Sequence, residues 1–319
     1  MMKAFITGGA GFIGSNLADR LLTSGHAVTI YDNLSTGNLE FISSARRHER
    51  CHFIVGDLLD EVMLKKSMQG CDFVFHLAAN ADVRFGVNAP RRDLEQNTIA
   101  TYNVLEAMRG NDIKRLAFSS TGSIYGENKM IPTPEDAPFP VQTSLYGASK
   151  LAGEGLIQAY CEGFGMQAWI FRFVSILGDR YTHGHVFDFV KRLLENPNEL
   201  TVLGNGKQKK SYLHVQDCLD AIELAIVKAE DKINIFNLGT DEYCDISASA
   251  GWIIDEMKLQ PTVKYSGGER GWIGDNPFIF LGTQKIRAAG WSSKVTIREA
   301  IIATVRYLLA NKDLLYART

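Results

Sequence analysis

The chain has 319 residues, a formal net charge of −2 at pH 7, 45% hydrophobic and 22% charged residues. These are the proportions of a globular protein that can bury one or two cores without a disulfide or metal staple. The near-neutral balance argues against a nucleic-acid partner, and no apolar run is long enough to span a bilayer.

Short apolar runs alternate with helical patterns from the N-terminus onward: KAFIT at 3–7, an amphipathic stretch to Leu22, AVTIY at 27–31 and HFIVG at 52–56. DFVFHLA at 72–78, RLAFSS at 115–120 and AWIFRF at 168–173 continue the series. The alternation predicts repeated βαβ units. Continuous rather than alternating apolar runs predict strands buried on both faces, hence a parallel sheet with helices on each side, occupying most of residues 1–174.

After Ser175 the rhythm changes, and helices are expected near 186–195, 215–229, 246–258 and 296–310. IFNLG at 235–239 reads as a buried strand that returns to the main sheet. The expected organisation is a first domain at 1–174, rejoined by about 212–239, and a smaller one at 175–211 and 240–319. Pro132, Pro134, Pro138 and Pro140 fall in one stretch, which predicts an ordered loop because proline fixes φ and cannot donate to a ladder.

TGGAGFIG at 7–14 follows the first strand and opens the first helix. Glycine permits positive φ and close approach of backbone to a pyrophosphate, and a helix N-terminus presents free N–H groups to the anion. Two registers fit, Gly9/Gly11/Gly14 or Gly8/Gly11/Gly14, and a plain strand-to-helix turn would look similar. Asp32 ends the second strand, where a carboxylate accepts hydrogen bonds from the adenosine ribose and repels a 2′-phosphate, favouring NAD over NADP. A turn cap before Asn33 is the plainer use of the same acid. Asp57, in Gly56-Asp57-Leu58, stands where an adenine contact would fall, and HLAAN at 76–80 ends the fourth strand with small residues.

Tyr146 and Lys150 are four apart on an expected helix, so they share one face. A nearby ammonium favours the phenolate and suits the tyrosine to take a proton from a sugar hydroxyl. Thr121, at the end of the fifth strand, has a hydroxyl that can share that proton, or simply cap a turn. His183 and His185 lie two apart without cysteine partners, and no metal site is expected.

These residues resemble the extended short-chain dehydrogenase/reductase family, in its nucleotide-sugar epimerase and dehydratase branch. The resemblance runs through TGGAGFIG, Asp32-Asn33, Gly56-Asp57-Leu58, HLAA, Asn97, FSSTGSIYG, Tyr146 to Lys150 and GNGKQKKSYLHVQD. It implies an α/β fold: a Rossmann domain with a doubly wound parallel sheet and a smaller mixed α/β C-terminal domain for the nucleotide sugar. It implies NAD as cofactor, held by Gly8, Gly11, Phe12, Ile13, Gly14, Asp32, Asn33, Asp57, Leu58, Leu77, Ala78, Ala79, Asn97, Ser119, Tyr146, Lys150 and Phe173. Gly9 then becomes an extra flexible position. Thr121, Tyr146 and Lys150 are the implied catalytic residues. Thr121, Ser175, Val186, Lys210 and Arg270 are the implied substrate contacts, and a homodimer packs the helices that follow Pro90 and contain Tyr146.

The shared first step implied by the family removes the 4-OH proton while the C4 hydride passes to NAD. The family's 4,6-dehydratases place an Asp-Glu pair directly after the threonine, where this chain has Gly122 and Ser123. That favours 4-epimerisation of a UDP-glucose/UDP-galactose type sugar. The alternatives are a nucleotide-sugar 4-dehydrogenase, an epimerase on a GDP- or CDP-sugar, a 4,6-dehydratase or a non-catalytic NAD sensor. Departures are Ser175 where many members have Asn, and Lys210-Ser211 where many have Arg-Asp. Five cysteines without a C-x-x-C pair, and an N-terminus that enters a strand directly from Lys3, predict a cytoplasmic protein without a signal peptide.

Overall fold

A computed structural model describes residues 1–80, 85–139, 141–272 and 274–316. Pro140 of the proline stretch lies outside the described residues. The first half repeats strand and helix: β1 Lys3–Thr7, α1 Phe12–Thr23, β2 Ala27–Asp32, β3 Cys51–Val55, α2 Glu61–Ser67 and β4 Phe73–His76. Short helices α3 (Phe85–Asn88) and α4 (Pro90–Asp93) lead into a π turn at Leu94–Ile99, then α5 Ala100–Gly110, β5 Arg115–Thr121, α6 Leu145–Phe164 and β6 Gln167–Phe173. The chain continues through β7 Ser175–Leu177, α7 His185–Glu195, β8 Glu199–Val202, β9 Lys209–Lys210, β10 Tyr212–His214, α8 Val215–Lys228 and β11 Ile233–Leu238. It ends with β12 Cys244–Asp245, α9 Ile246–Met257, β13 Thr262–Tyr265, β14 Phe278–Ile279, α10 Gln284–Ala288 and α11 Ile297–Ala310.

Seven strands form one sheet in the order β3–β2–β1–β4–β5–β6–β11. The pairs from β3 to β5 are parallel, with Thr7 opposite Tyr31 on one side and His76 on the other. The order reverses direction between β1 and β4, the switch point at which open α/β sheets bind ligands beyond their carboxyl ends. Phe5, Val74, Leu116, Phe118 and Ile170 from the strands pack with Leu64, Val104, Met108 and Ile157 from helices, so the apolar runs of the central strands are buried, whereas HFIVG forms the edge strand β3, which has no buried residue and leaves Val55 exposed. The fourth strand is shorter than expected. It stops at His76: Leu77 N–H still donates to Thr7 O at 3.3 Å, but the Ala78 N–H donates to the Thr7 side-chain Oγ1 instead.

The chain divides into two compact units. The first comprises Met1–Ile124, Leu145–Arg172 and Glu223–Phe236; the second comprises Tyr125–Ser144, Phe173–Ile222 and Asn237–Thr319. In the second unit β7 pairs with β10, β8 with β13, and β9 with both β12 and β14. Asn237 ties its irregular segments together: the Tyr125 hydroxyl donates to its Oδ1 at 2.9 Å, and its Nδ2 donates to the carbonyls of Thr133 and Gly282. The Pro132–Pro138 stretch is therefore an anchored loop, with an isolated parallel bridge between Thr133 and Leu281. The four helices expected after residue 175 are α7, α8, α9 and α11, each within two residues of the expected bounds. Among the described residues no helix is long and apolar enough to cross a membrane.

A buried ion pair lies inside the first unit. Arg172 Nη2 and Nε approach Glu154 Oε2 and Oε1 at 2.8 and 3.1 Å, with side chains 2% and 0% exposed, and Ser120 donates to the same carboxylate. Such a pair is satisfied only as a whole, because either charge alone in a low-dielectric core is uncompensated. Glu154→Gln is expected to cost about 3–5 kcal/mol in urea unfolding. The double replacement Glu154→Met with Arg172→Met is expected to cost less than the sum of its singles; strict additivity would contradict the account.

Candidate active site

β1 delivers the chain into a turn that only glycine can make. Gly8 has φ +67°, and a Cβ there would lie 2.8 Å from the backbone of Ala78. A Cβ on Gly14 would run into the carbonyl of Gly8 and come within 2.8 Å of Gly9 Cα. Gly11 N–H closes the turn on Gly8 O at 3.1 Å and then starts α1, which has no side-chain cap on its first turn. Gly9 is more than the extra flexible position expected, because a Cβ there would sit 2.7 Å from Ile30 Cγ2 in the sheet. The result is backbone laid against backbone, with a helix N-terminus aimed past it, which suits a diphosphate.

Asp32 is buried at the tip of β2, where its Oδ2 accepts from Ala10 N at 3.0 Å and its Oδ1 from Leu34 N at 2.8 Å. Burial raises its pKa, and those two N–H donors oppose the rise. Asn33 Nδ2 donates to Asp57 Oδ2 at 3.0 Å, which joins the ends of β2 and β3. Leu58 is buried, and its carbonyl accepts from Asn103. Phe12 is buried, whereas Ile13, Leu77, Ala78 and Ala79 are half-buried around the glycine turn and the end of β4. Each carboxylate oxygen of Asp32 keeps acceptor capacity for a ribose hydroxyl. The residues present therefore fit a dinucleotide.

The end of β5 meets one face of α6. Spacings of three and four put Tyr146, Ser149, Lys150, Gly153 and Glu154 on that face. The Thr121 hydroxyl is hydrogen-bonded to the Tyr146 phenol, and Thr121 also exchanges bonds with the Oγ and N–H of Ser123 at 3.2 and 3.1 Å. Ser119 donates to the His76 carbonyl. Lys150 is 1% exposed and its Nζ lies 4.0 Å from the centre of the Phe118 ring. Burial pulls its pKa down to about 7, against the upward pull of Glu154. Burial pushes the Tyr146 phenol up to about 12, which Thr121 partly opposes and Asp93 reinforces.

Asn97 stands in the π turn and holds this assembly. Its Oδ1 accepts from Asn80 N at 2.8 Å, its Nδ2 donates to Ser149 Oγ at 2.9 Å, and Ser149 Oγ donates to the Tyr146 carbonyl. The structure thus brings together Thr121, Tyr146, Lys150, Asn97 and Ser119 in one unit. Ser149 was missed in the sequence reading, although its place three residues after Tyr146 puts it on the same helix face.

The other expected substrate contacts lie in the second unit, as does Phe173, a buried residue at the end of β6. Ser175 is exposed at the start of β7, and Val186 is fully buried on α7. Lys210 donates to Asp275 Oδ1 at 2.8 Å and to the Asn276 carbonyl. Arg270 is paired with Glu127. His185 lies in a buried cluster, with Nε2 2.5 Å from Ser249 Oγ and Nδ1 3.1 Å from the Tyr212 hydroxyl, and burial pulls its pKa down to about 3. Among the described residues no group of three or more His, Cys, Asp or Glu is placed to hold a metal ion.

The buried lysine has a stability signature. Its folded-state pKa near 7 lies below the ordinary lysine value of 10.5, so between those values the unfolded chain holds more protons. Its contribution is fully present above the unfolded pKa and is lost as pH falls through about 7. The contribution is on the order of 4 kcal/mol. Wild type should gain stability between about pH 7 and 10 relative to Lys150→Met in denaturant titrations of the NAD-free protein; parallel profiles would contradict a buried ammonium.

The family profile described as NAD dependent epimerase/dehydratase family matches residues 4–239. A UDP-glucose 4-epimerase of Mycolicibacterium smegmatis is 31% identical over 319 residues, covering 96% of this chain and 98% of that one. A UDP-glucose 4-epimerase of Thermotoga maritima, solved with UDP-glucose, superimposes with TM-score 0.87 at 30% identity, covering 98% of this chain and 100% of that one. One of Thermus thermophilus, solved with NAD, gives TM-score 0.85 at 31% identity, covering 97% and 99%. The chain belongs to the NAD-dependent epimerase/dehydratase family, with NAD as its cofactor.

Proposed function

We propose that this protein inverts C4 of a UDP-activated hexose of the glucose/galactose type, keeping NAD bound through the cycle. The observation that carries the reading is the bonded Thr121–Tyr146 pair over the buried Lys150, followed by Gly122 and Ser123 rather than carboxylates. The chemistry NAD supplies when bound is reversible acceptance of hydride at the sugar carbon.

The chain's own residues handle the proton. Tyr146 as phenolate takes it from the sugar 4-OH, with the Thr121 hydroxyl sharing the hydrogen bond. Lys150, whose pKa burial pulls down to about 7, favours the phenolate by its charge when protonated and is assigned to the nicotinamide ribose. Eliminating water from the sugar needs an added acid and base, which Gly122 and Ser123 do not supply. Return of the hydride to the other face of a turned keto-sugar needs only the same Tyr146 to give its proton back. The diphosphate is assigned to Lys210 and Arg270. Lys210 has two of its three ammonium protons engaged and one left to donate. Ser175 and Val186 are assigned to the sugar side, Val186 through its backbone because its side chain is buried.

A homodimer through the π turn, α5 and α6 is part of the proposal. Leu94, Ile99 and Tyr102 are exposed apolar residues on the first two, and Leu145 and Phe164 on the third. Five free cysteines suit a reducing, cytoplasmic setting. Light scattering of the purified protein should give twice the chain mass, and Tyr102→Glu should shift it toward monomer; a monomeric wild type contradicts this packing.

Purified protein offered a panel of UDP-, GDP- and CDP-sugars, with products identified by NMR, should convert UDP-glucose and UDP-galactose into each other without added cofactor. Tyr146→Phe should retain NAD and lose about 10²–10⁴-fold in kcat. Full activity in that variant would refute the mechanism. Stoichiometric NADH with no epimer would identify a 4-dehydrogenase.

A further inference from the structure

A line of buried polar groups runs beneath the site without touching the substrate positions. Ala78 N–H donates to Thr7 Oγ1 at 3.2 Å, Thr7 Oγ1 meets His76 Nδ1 at 2.7 Å, and His76 Nε2 meets Thr101 Oγ1 at 3.0 Å. Thr101 Oγ1 then donates to the carbonyl of Asn97 at 2.5 Å. Thr7, His76, Thr101 and Asn97 are each at most 1% exposed.

The proton directions follow from the last bond. Thr101 has one hydroxyl proton and gives it to Asn97 O, so toward His76 it can only accept. His76 Nε2 must therefore carry a hydrogen, and the neutral ring leaves Nδ1 as an acceptor for the Thr7 hydroxyl. The chain runs one way, from Ala78 N–H through Thr7, His76 and Thr101 to Asn97 O. One end lies at the exit of β4, against the glycine turn, since a Cβ on Gly8 would touch Ala78. The other end is the π turn, whose Asn97 side chain holds Ser149 between Tyr146 and Lys150. Burial alone would favour any small apolar residue in place of His76. A doubly bonded imidazole with a fixed tautomer instead sets distance and orientation between two backbone segments.

We infer that His76 is a positioning residue for the reaction, fixing the Asn97 turn, and through Ser149 the Tyr146–Lys150 face, relative to the glycine turn. The kinetic part of this inference rests on the epimerase reading above. Thr101→Val keeps the shape but can neither accept from His76 nor donate to Asn97; Thr101→Ser keeps both bonds. On the holoenzyme, Thr101→Val should lower kcat about tenfold or more with KM for UDP-galactose and bound NAD within about twofold of wild type, and Thr101→Ser should restore kcat. Nitrogen-15 NMR of labelled histidine should show His76 in the Nε2–H form in wild type and a changed tautomer ratio in Thr101→Val. A Thr101→Val kcat within about twofold of wild type, or an Nδ1–H His76, overturns the inference. If wild type turns over no nucleotide sugar, the epimerase reading fails, and the histidine tautomers still uphold or overturn the directed chain.

Discussion

The burial of Lys150 is the constraint on which the site depends. An ammonium 1% exposed is costly unless its surroundings compensate, and here the Phe118 ring face and the Glu154 carboxylate offset only part of that cost. Glu154 is itself buried and is held by Arg172 and Ser120. The stripe Tyr146, Ser149, Lys150, Gly153, Glu154 occupies positions that an ordinary helix would give to core hydrophobes. Ile157 and Cys161, further along, return to that rule and anchor the helix in the core. The first two turns of α6 thus carry chemistry while the last turns carry packing.

The same burial sets the electrostatics. Desolvation drives the lysine toward neutrality and the tyrosine away from phenolate, so neither is ready by itself. Thr121 adds a hydrogen bond that favours the ionised phenol. A proton acceptor tuned in this way serves a step and its reverse equally, as epimerisation requires. Gly122 and Ser123 at the two positions after Thr121 supply neither the acid nor the base that elimination of water needs.

The sheet was legible because its central strands are buried on both faces and so read as unbroken apolar runs, while HFIVG at the edge kept the apolar composition without the burial. Tyr146 and Lys150 were legible because both sit on one helix, where spacing is geometry. Thr7, His76 and Thr101 were not, since their bonds join residues 69 and 25 positions apart and depend on strand order rather than local pattern. Lys210 is a similar case: within KQKK it reads as one charge among several, and its partner Asp275 is 65 residues away. Gly9 was read as an extra flexible position because the turn geometry does not need it, whereas the neighbouring strand residue Ile30 leaves no room for a Cβ there. The end of β4 was overread because Leu77 and Ala78 continue the apolar composition after the ladder has stopped.

The account stands on hydride leaving and returning to the same sugar carbon inside one closed cycle. UDP-galactose carrying deuterium at C4, incubated with the enzyme in ordinary water, tests this directly. The account predicts UDP-glucose that retains deuterium at C4, with none appearing in solvent and no free NADH. Loss of the label to water, or its recovery in released NADH, would contradict it.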